Sequence, residues 1–173
     1  MDDLMVDIEC MGKVPNAAIV QIGACYFDRY TGDIGKTFKG NISLLNTSGQ
    51  FDGSTILWWL EQAKKGNTLS FLNNTESEEY ILSTFRYFAN DAKQIWSHAT
   101  FDFVLLQDAL RRNGIPLLPY RSARDIRTLV DLAGNTSTRR KGDKSHDGLD
   151  DCLYQVKYCV ECFNKLFKGL TNG

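Results

Sequence analysis

Leu4-Met5-Val6-Asp7-Ile8-Glu9-Cys10 is a short apolar run broken by two carboxylates two residues apart. Residues i and i+2 of a strand share a face, so Asp7 and Glu9 project together from whatever sheet this strand joins. Leu4, Val6 and Ile8 mark the strand as interior, and acidic residues are rarely buried unless they are paired or bind a cation. Taken alone, the pair also fits an edge strand with two solvated carboxylates. Working outward, residues 18–27 form a long β-type run. Residues 35–42 follow it after the turn Asp28-Arg29-Tyr30-Thr31-Gly32, which predicts consecutive antiparallel pairing.

Beyond this three-stranded start the period changes. Ser54 is expected to cap a helix over residues 55–65, with Ile56, Trp59, Leu60 and Ala63 as its buried stripe and Trp58 and Gln62 on another side. Apolar residues recur at helical spacing over 76–89, a strand is expected at 93–97, and a second periodic stretch over 102–113 is stopped by Gly114. A short element at 122–125 leads into a helix near 126–133, residues 134–145 read as a polar loop, and one long helix closes the chain over 147–167. Strands first, then strands alternating with helices, describe an α/β domain whose mixed central sheet has antiparallel first strands and is flanked by helices.

The 173 residues are 43% hydrophobic and 24% charged, with 20 Lys+Arg against 21 Asp+Glu, the profile of a single domain spanning 1–173. A formal net charge of −1 excludes the simplest kind of nucleic-acid binder, one held to phosphates by bulk positive charge. No apolar run approaches the roughly 18 residues that span a bilayer, and Met1-Asp2-Asp3 lacks the start of a secretory signal, so the expectation is a cytoplasmic protein without membrane contact. Five cysteines, an odd number, are expected to be reduced thiols. The Cys159/Cys162 pair lies in a helical stretch with no second pair to complete a zinc site and reads as core packing.

Three further residues carry chemistry. Asp102 follows the 93–97 strand and opens a helix, where the helix dipole alone would favour an acid. His146 and Asp151 stand at the start of the last helix in Ser145-His146-Asp147-Gly148-Leu149-Asp150-Asp151, at a spacing that returns both side chains to roughly one side. Four carboxylates are what two divalent hard cations need, and two such ions about 4 Å apart stabilise the attacking and leaving oxygens of a displacement at phosphorus. A histidine with a pKa near neutral can take the proton from the attacking water.

In that order, Asp-x-Glu, then Asp, then His-x-x-x-x-Asp, the chain resembles the DEDDh class of 3′-to-5′ exonucleases, which have a ribonuclease H-like fold. The likeness runs from Val6 to about Tyr158: Asp7-Ile8-Glu9-Cys10-Met11-Gly12 with Ala18-Ile19-Val20-Gln21-Ile22-Gly23 is similar to the first motif, Thr100-Phe101-Asp102 to the second, and His146 with Asp151 to the third. The stretches 54–62 and 124–129 resemble the compact branch of phage-type exodeoxyribonucleases and a related bacterial exoribonuclease. The resemblance implies two Mg²⁺ or Mn²⁺ ions per site, with Asp7, Glu9 and Asp151 holding the one that activates water. Asp7 would bridge to a second ion, which Asp102 reaches directly or through water. It implies His146 as general base and a nucleoside 5′-monophosphate as product. It also implies Cys10, Met11 and Phe101 beside the terminal nucleotide, Cys10 replacing a threonine common in the class so that only its backbone N–H is left for the sugar.

Two features widen the expected substrate site. Trp58 and Trp59 point about 100° apart on a helix and cannot both face the core, which makes Trp58 the candidate for stacking on an unpaired base. Arg139, Arg140, Lys141 and Lys144 form a charge run directly before His146 that could grip phosphates. Asp125 and Arg127 read as a structural ion pair. The expected partner is a single-stranded 3′ end of DNA or RNA, DNA being favoured by the phage-type likeness. The alternatives are an exoribonuclease or oligoribonuclease with the same site, or a non-catalytic nucleic-acid-binding domain of the same fold. A homo-oligomer is not indicated.

Overall fold

The computed structural model describes residues 1–134 and 146–168. The basic run Arg139, Arg140, Lys141 and Lys144 lies outside the described residues. Strands β1 (Asp3–Cys10), β2 (Ile19–Phe27), β3 (Ile34–Ile42), β4 (Thr75–Glu76), β5 (Gln94–Ser97) and β6 (Ala123–Asp125) form one sheet in the order β4-β3-β2-β1-β5-β6. The pairs β1–β2 and β2–β3 are antiparallel, and β1–β5, β5–β6 and β3–β4 are parallel. With β1 between β2 and β5, Asp7 and Glu9 stand on an inner strand and the edge-strand reading falls.

Alternation along β1 divides the core. Leu4, Val6 and Ile8 face helices α2 (Glu78–Phe88) and α3 (Asp102–Arg112), where Ile81, Leu82, Phe85, Leu106 and Leu110 complete one apolar layer. Met5 faces the other way with Cys25, Phe27 and Trp96, against α4 (Ile126–Leu132) and α5 (Gly148–Lys168). Each buried aliphatic or aromatic side chain contributes about 1.5–3 kcal/mol, so the two layers fix the strand register, and with it the face on which the acids emerge. Cys152, Cys159 and Cys162 pack in the second layer, as the C-x-x-C spacing without a partner pair indicated.

Helix α1 (Gly53–Lys64) departs from its expected form. Its cap is Asp52, whose carboxylate accepts the Thr55 N–H at 2.9 Å and pairs with the Ser54 hydroxyl, so the cap is two residues earlier than expected. The helix is also rotated: Thr55, Trp59 and Gln62 are buried while Ile56, Leu60 and Ala63 are exposed. The reason is the small third cluster that α1 covers, in which Trp59 packs with Met11, Ala18, Val20 and Phe71. One indole anchored in that layer sets the face of the whole helix.

Candidate active site

The acids meet where the end of β1, the start of α3 and the first turns of α5 converge. Asp7 is 9% exposed and pairs with Gly23 in the β1–β2 ladder. Gly23 has no side chain because α5 rests on it: a Cβ there would fall 2.1 Å from the Gly148 carbonyl carbon and 2.3 Å from the Leu149 nitrogen. That contact lowers the α5 N-terminus onto the acids of β1.

A polar network holds the same helix end. The Asp147 carboxylate accepts the N–H groups of Leu149 at 3.2 Å and Asp150 at 3.4 Å, pairs with Lys39, and accepts the Ser70 hydroxyl at 2.6 Å. The Gln21 amide oxygen accepts the Gly148 N–H at 2.6 Å, and its nitrogen donates to Asn41 at 2.7 Å and Ser70 at 3.0 Å. Further along α5, the Gln155 amide nitrogen donates to Asp7 Oδ1 at 2.7 Å, one helical turn beyond Asp151. No local signal announces these contacts, although Gln21 is the one amide in the otherwise apolar and buried Ile19–Phe27 run.

Among the described residues, the ligand atoms of Glu9, His146 and Asp151 lie within 4.8 Å of one another, and so do those of Asp7, His98 and Asp102. Burial, then the charges of Asp102, Glu9 and Asp151, hold the Asp7 carboxyl well above its ordinary range, against the amide hydrogen bond from Gln155. Burial and Asp151 push Glu9 up to about 8. Burial pushes Asp102 up to about 7, opposed by its hydrogen bond from the His98 N–H and by the Arg127 charge. Asp147 goes the other way: although burial raises it, the bonds from Lys39 and Ser70 keep it below the usual carboxylate range.

Such a cluster suits a divalent cation. Its donors are hard carboxylate oxygens, it gathers negative charge where burial penalises that charge, and the buried Gln155 amide oxygen has no hydrogen-bond partner among the described residues, an acceptor that a hydrating water can satisfy. Trp58 and Trp59 pack edgewise on His146, with ring centroids at 4.8 and 5.7 Å. Trp58 is 40% exposed, while Trp59 is buried and donates its indole N–H to the Cys10 carbonyl at 3.1 Å.

The structure thus gathers Asp7, Glu9, Asp102, His146 and Asp151, with Cys10 and Trp58 at the margin. Met11 is only 4% exposed and lies in the α1 cluster, whereas Phe101 is partly buried against the main layer and keeps some exposed surface. Asp125 is the cap of α4, accepting the Thr128 N–H at 2.8 Å, and it also accepts the Ala99 N–H at 3.0 Å. It therefore braces the turn that carries His98 and Asp102.

The sequence model of the family described as the 3′-5′ exoribonuclease Rv2179c-like domain matches residues 2–163. No curated protein matches the chain by sequence. Among solved structures, E. coli exonuclease I in complex with a dT13 oligonucleotide superposes with a TM-score of 0.68 at 15% identity, over 98% of this chain and 42% of that one. S. pombe Pop2p in its Mg²⁺- and Mn²⁺-bound form gives 0.60 at 13%, over 97% and 85%. A 3′-exonuclease that recognises the 3′ end of a histone mRNA stem-loop gives 0.63 at 13%, over 94% and 81%. These likenesses show a shared ribonuclease H-like fold, and the chain spans less than half the length of the exonuclease I chain. No described helix is long and apolar enough to cross a membrane.

Proposed function

The chain belongs to the 3′-5′ exoribonuclease Rv2179c-like domain family, and on that premise we propose that it is a divalent-metal-dependent 3′-to-5′ exonuclease releasing nucleoside 5′-monophosphates from single-stranded 3′ ends. The observation that carries the reading is the convergence of Asp7, Glu9, Asp102 and Asp151 with His146 between β1, α3 and α5. Asp7, Glu9 and Asp151 would hold one Mg²⁺ or Mn²⁺, and Asp7 with Asp102 a second. Bound there, the ions would supply positive charge for the attacking and leaving oxygens.

The chain's own residues do the rest. A nitrogen of the His146 imidazole takes the proton of the attacking water, a role that suits a group whose ordinary pKa is about 6.5. Gly23, Gln21 and Asp147 fix the helix end beside it, and the indoles of Trp58 and Trp59 limit the swing of its ring. The exposed part of Trp58 offers a stacking surface to the terminal base. Stacking is worth about 1–3 kcal/mol per base, so Trp58→Ala is expected to raise KM roughly 5- to 150-fold, with a smaller effect on kcat. A fall in kcat at constant KM would show that Trp58 serves His146 instead.

The family description supports RNA as substrate, and the motif likeness to phage-type enzymes supports DNA as the second reading. Digestion of DNA and RNA oligomers of one sequence, with the mononucleotide product identified by chromatography, tests both. A protein that leaves both intact with Mg²⁺ and with Mn²⁺ is the non-catalytic binding domain instead.

A further inference from the structure

Resting on that reading of the site, we propose that His98 is a metal ligand, giving the Asp7–Asp102 cation position a nitrogen donor and a preference for Mn²⁺ or Co²⁺ over Mg²⁺. The chain has two histidines, and each completes one of the two compact donor sets: His146 with Glu9 and Asp151, His98 with Asp7 and Asp102. Five carboxylate and imidazole groups would be accounted for by the proposed chemistry without His98. Its position beside Asp7 is therefore unexplained by that reading.

The main chain leaves His98 little freedom. Its N–H donates to Asp102 Oδ2 at 2.8 Å, and its carbonyl accepts the N–H groups of Phe101 at 2.7 Å and Asp102 at 2.9 Å. The next residue, Ala99, is tied to Asp125. Ring and carboxylate thus issue from one rigid turn at the end of β5, on the face where Trp96 and Asp7 also lie. His98 Nδ1 stands 3.7 Å from Asp102 Oδ2. That is too long for a hydrogen bond. Two donors on one ion with bonds of about 2.1 Å stand at most about 4.2 Å apart, and the pair is already within that reach.

An imidazole in the donor set changes what binds. Oxygen-only sites suit Mg²⁺, whereas a nitrogen donor raises affinity along the first-row series from Mn²⁺ to Co²⁺. Loss of an outer-sphere partner already costs 10- to 100-fold in metal affinity, so loss of this ligand is expected to weaken one Mn²⁺ position at least tenfold and leave the other nearly unchanged.

The test is electron spin-echo modulation of the Mn²⁺-loaded protein together with Mn²⁺ titration calorimetry. Wild type is expected to show a directly coordinated ¹⁴N that disappears on ¹⁵N-histidine labelling, vanishes in His98→Gln and persists in His146→Gln. His98→Gln should bind one Mn²⁺ at least tenfold more weakly. His146→Gln gives an answer even if His98→Gln fails to fold, since His98 is then the one histidine left to supply a label-sensitive nitrogen, and its absence there overturns the proposal. Absence of coordinated nitrogen in wild type, or its persistence in His98→Gln with unchanged affinities, overturns the proposal. Digestion of oligomers is scored apart: an active nuclease with no His98 nitrogen sinks this inference alone, and a bound His98 nitrogen in an inactive protein sinks the exonuclease reading alone.

Discussion

Asp7→Asn is expected to abolish nucleotide release and, in the same molecule, to raise the melting temperature of the metal-free protein. The loss should be roughly a thousandfold or more, since the cation charge that Asp7 would help hold is worth several kcal/mol at the reacting oxygens and each 1.36 kcal/mol is tenfold. The gain in stability follows from the sign of the pKa shifts. In the unfolded chain these carboxyls ionise near 4. In the fold, burial and the charges of neighbouring acids hold Asp7 well above that value and Glu9 near 8, and burial holds Asp102 near 7. The unfolded state therefore sheds its protons first, and the metal-free fold loses stability as pH rises from about 4 through 8.

Asparagine removes one of these charges and still accepts the Gln155 hydrogen bond. Its advantage should be absent near pH 4 and largest at pH 8, where Mn²⁺ in turn should stabilise wild type more than the variant. Melting curves of both proteins at pH 5 and pH 8, with EDTA and with Mn²⁺, check it. A metal-free Asp7→Asn that melts below wild type at pH 8 would show that Asp7 is a structural carboxylate.

Gly23→Ala is the second large effect, and it acts through geometry alone. The added carbon meets backbone, not a flexible side chain, at 2.1–2.3 Å, so α5 has to move. Overpacking of this kind costs about 1–3 kcal/mol, a fall in melting temperature of roughly 2–12 °C for a domain of this size. The move carries His146 and Asp151 away from Glu9, and a displacement of about 1 Å at a reacting centre costs on the order of a hundredfold in rate. Gly53→Ala serves as the control: no atom of the described residues lies within 4 Å of the added carbon, and activity should be unchanged. A Gly23→Ala protein with wild-type kcat would break the link drawn between the β2–α5 contact and catalysis.

The inner strand, the three-stranded start and the long last helix were legible because binary patterning and turn residues act locally. The acids were legible as candidates because each sits at an element end, at spacings that strand and helix geometry translate directly into shared faces. What was not legible depends on contacts distant in sequence. Asp52 displaces Ser54 as the cap because the chain enters α1 from a loop whose Asp52 N–H is tied to the Met11 carbonyl, which no local signal reports. The buried face of α1 is set by one tryptophan finding Met11 and Phe71. The two-residue β4 exists only as an addition to β3. The Lys39–Asp147–Ser70 and Gln21–Gly148 contacts join four separate segments, and their one sequence trace is an amide inside an apolar strand.

The central claim is that the Asp7, Glu9, Asp102, His146 and Asp151 cluster removes nucleotides from 3′ ends. It is tested most directly by the size distribution over time of a 5′-end-labelled single-stranded oligomer. With Mn²⁺ the labelled strand should shorten one nucleotide at a time from its 3′ end, and EDTA or Asp7→Asn should stop the ladder. Immediate release of the label as a mononucleotide, cleavage in mid-chain, or an unchanged strand would contradict the account.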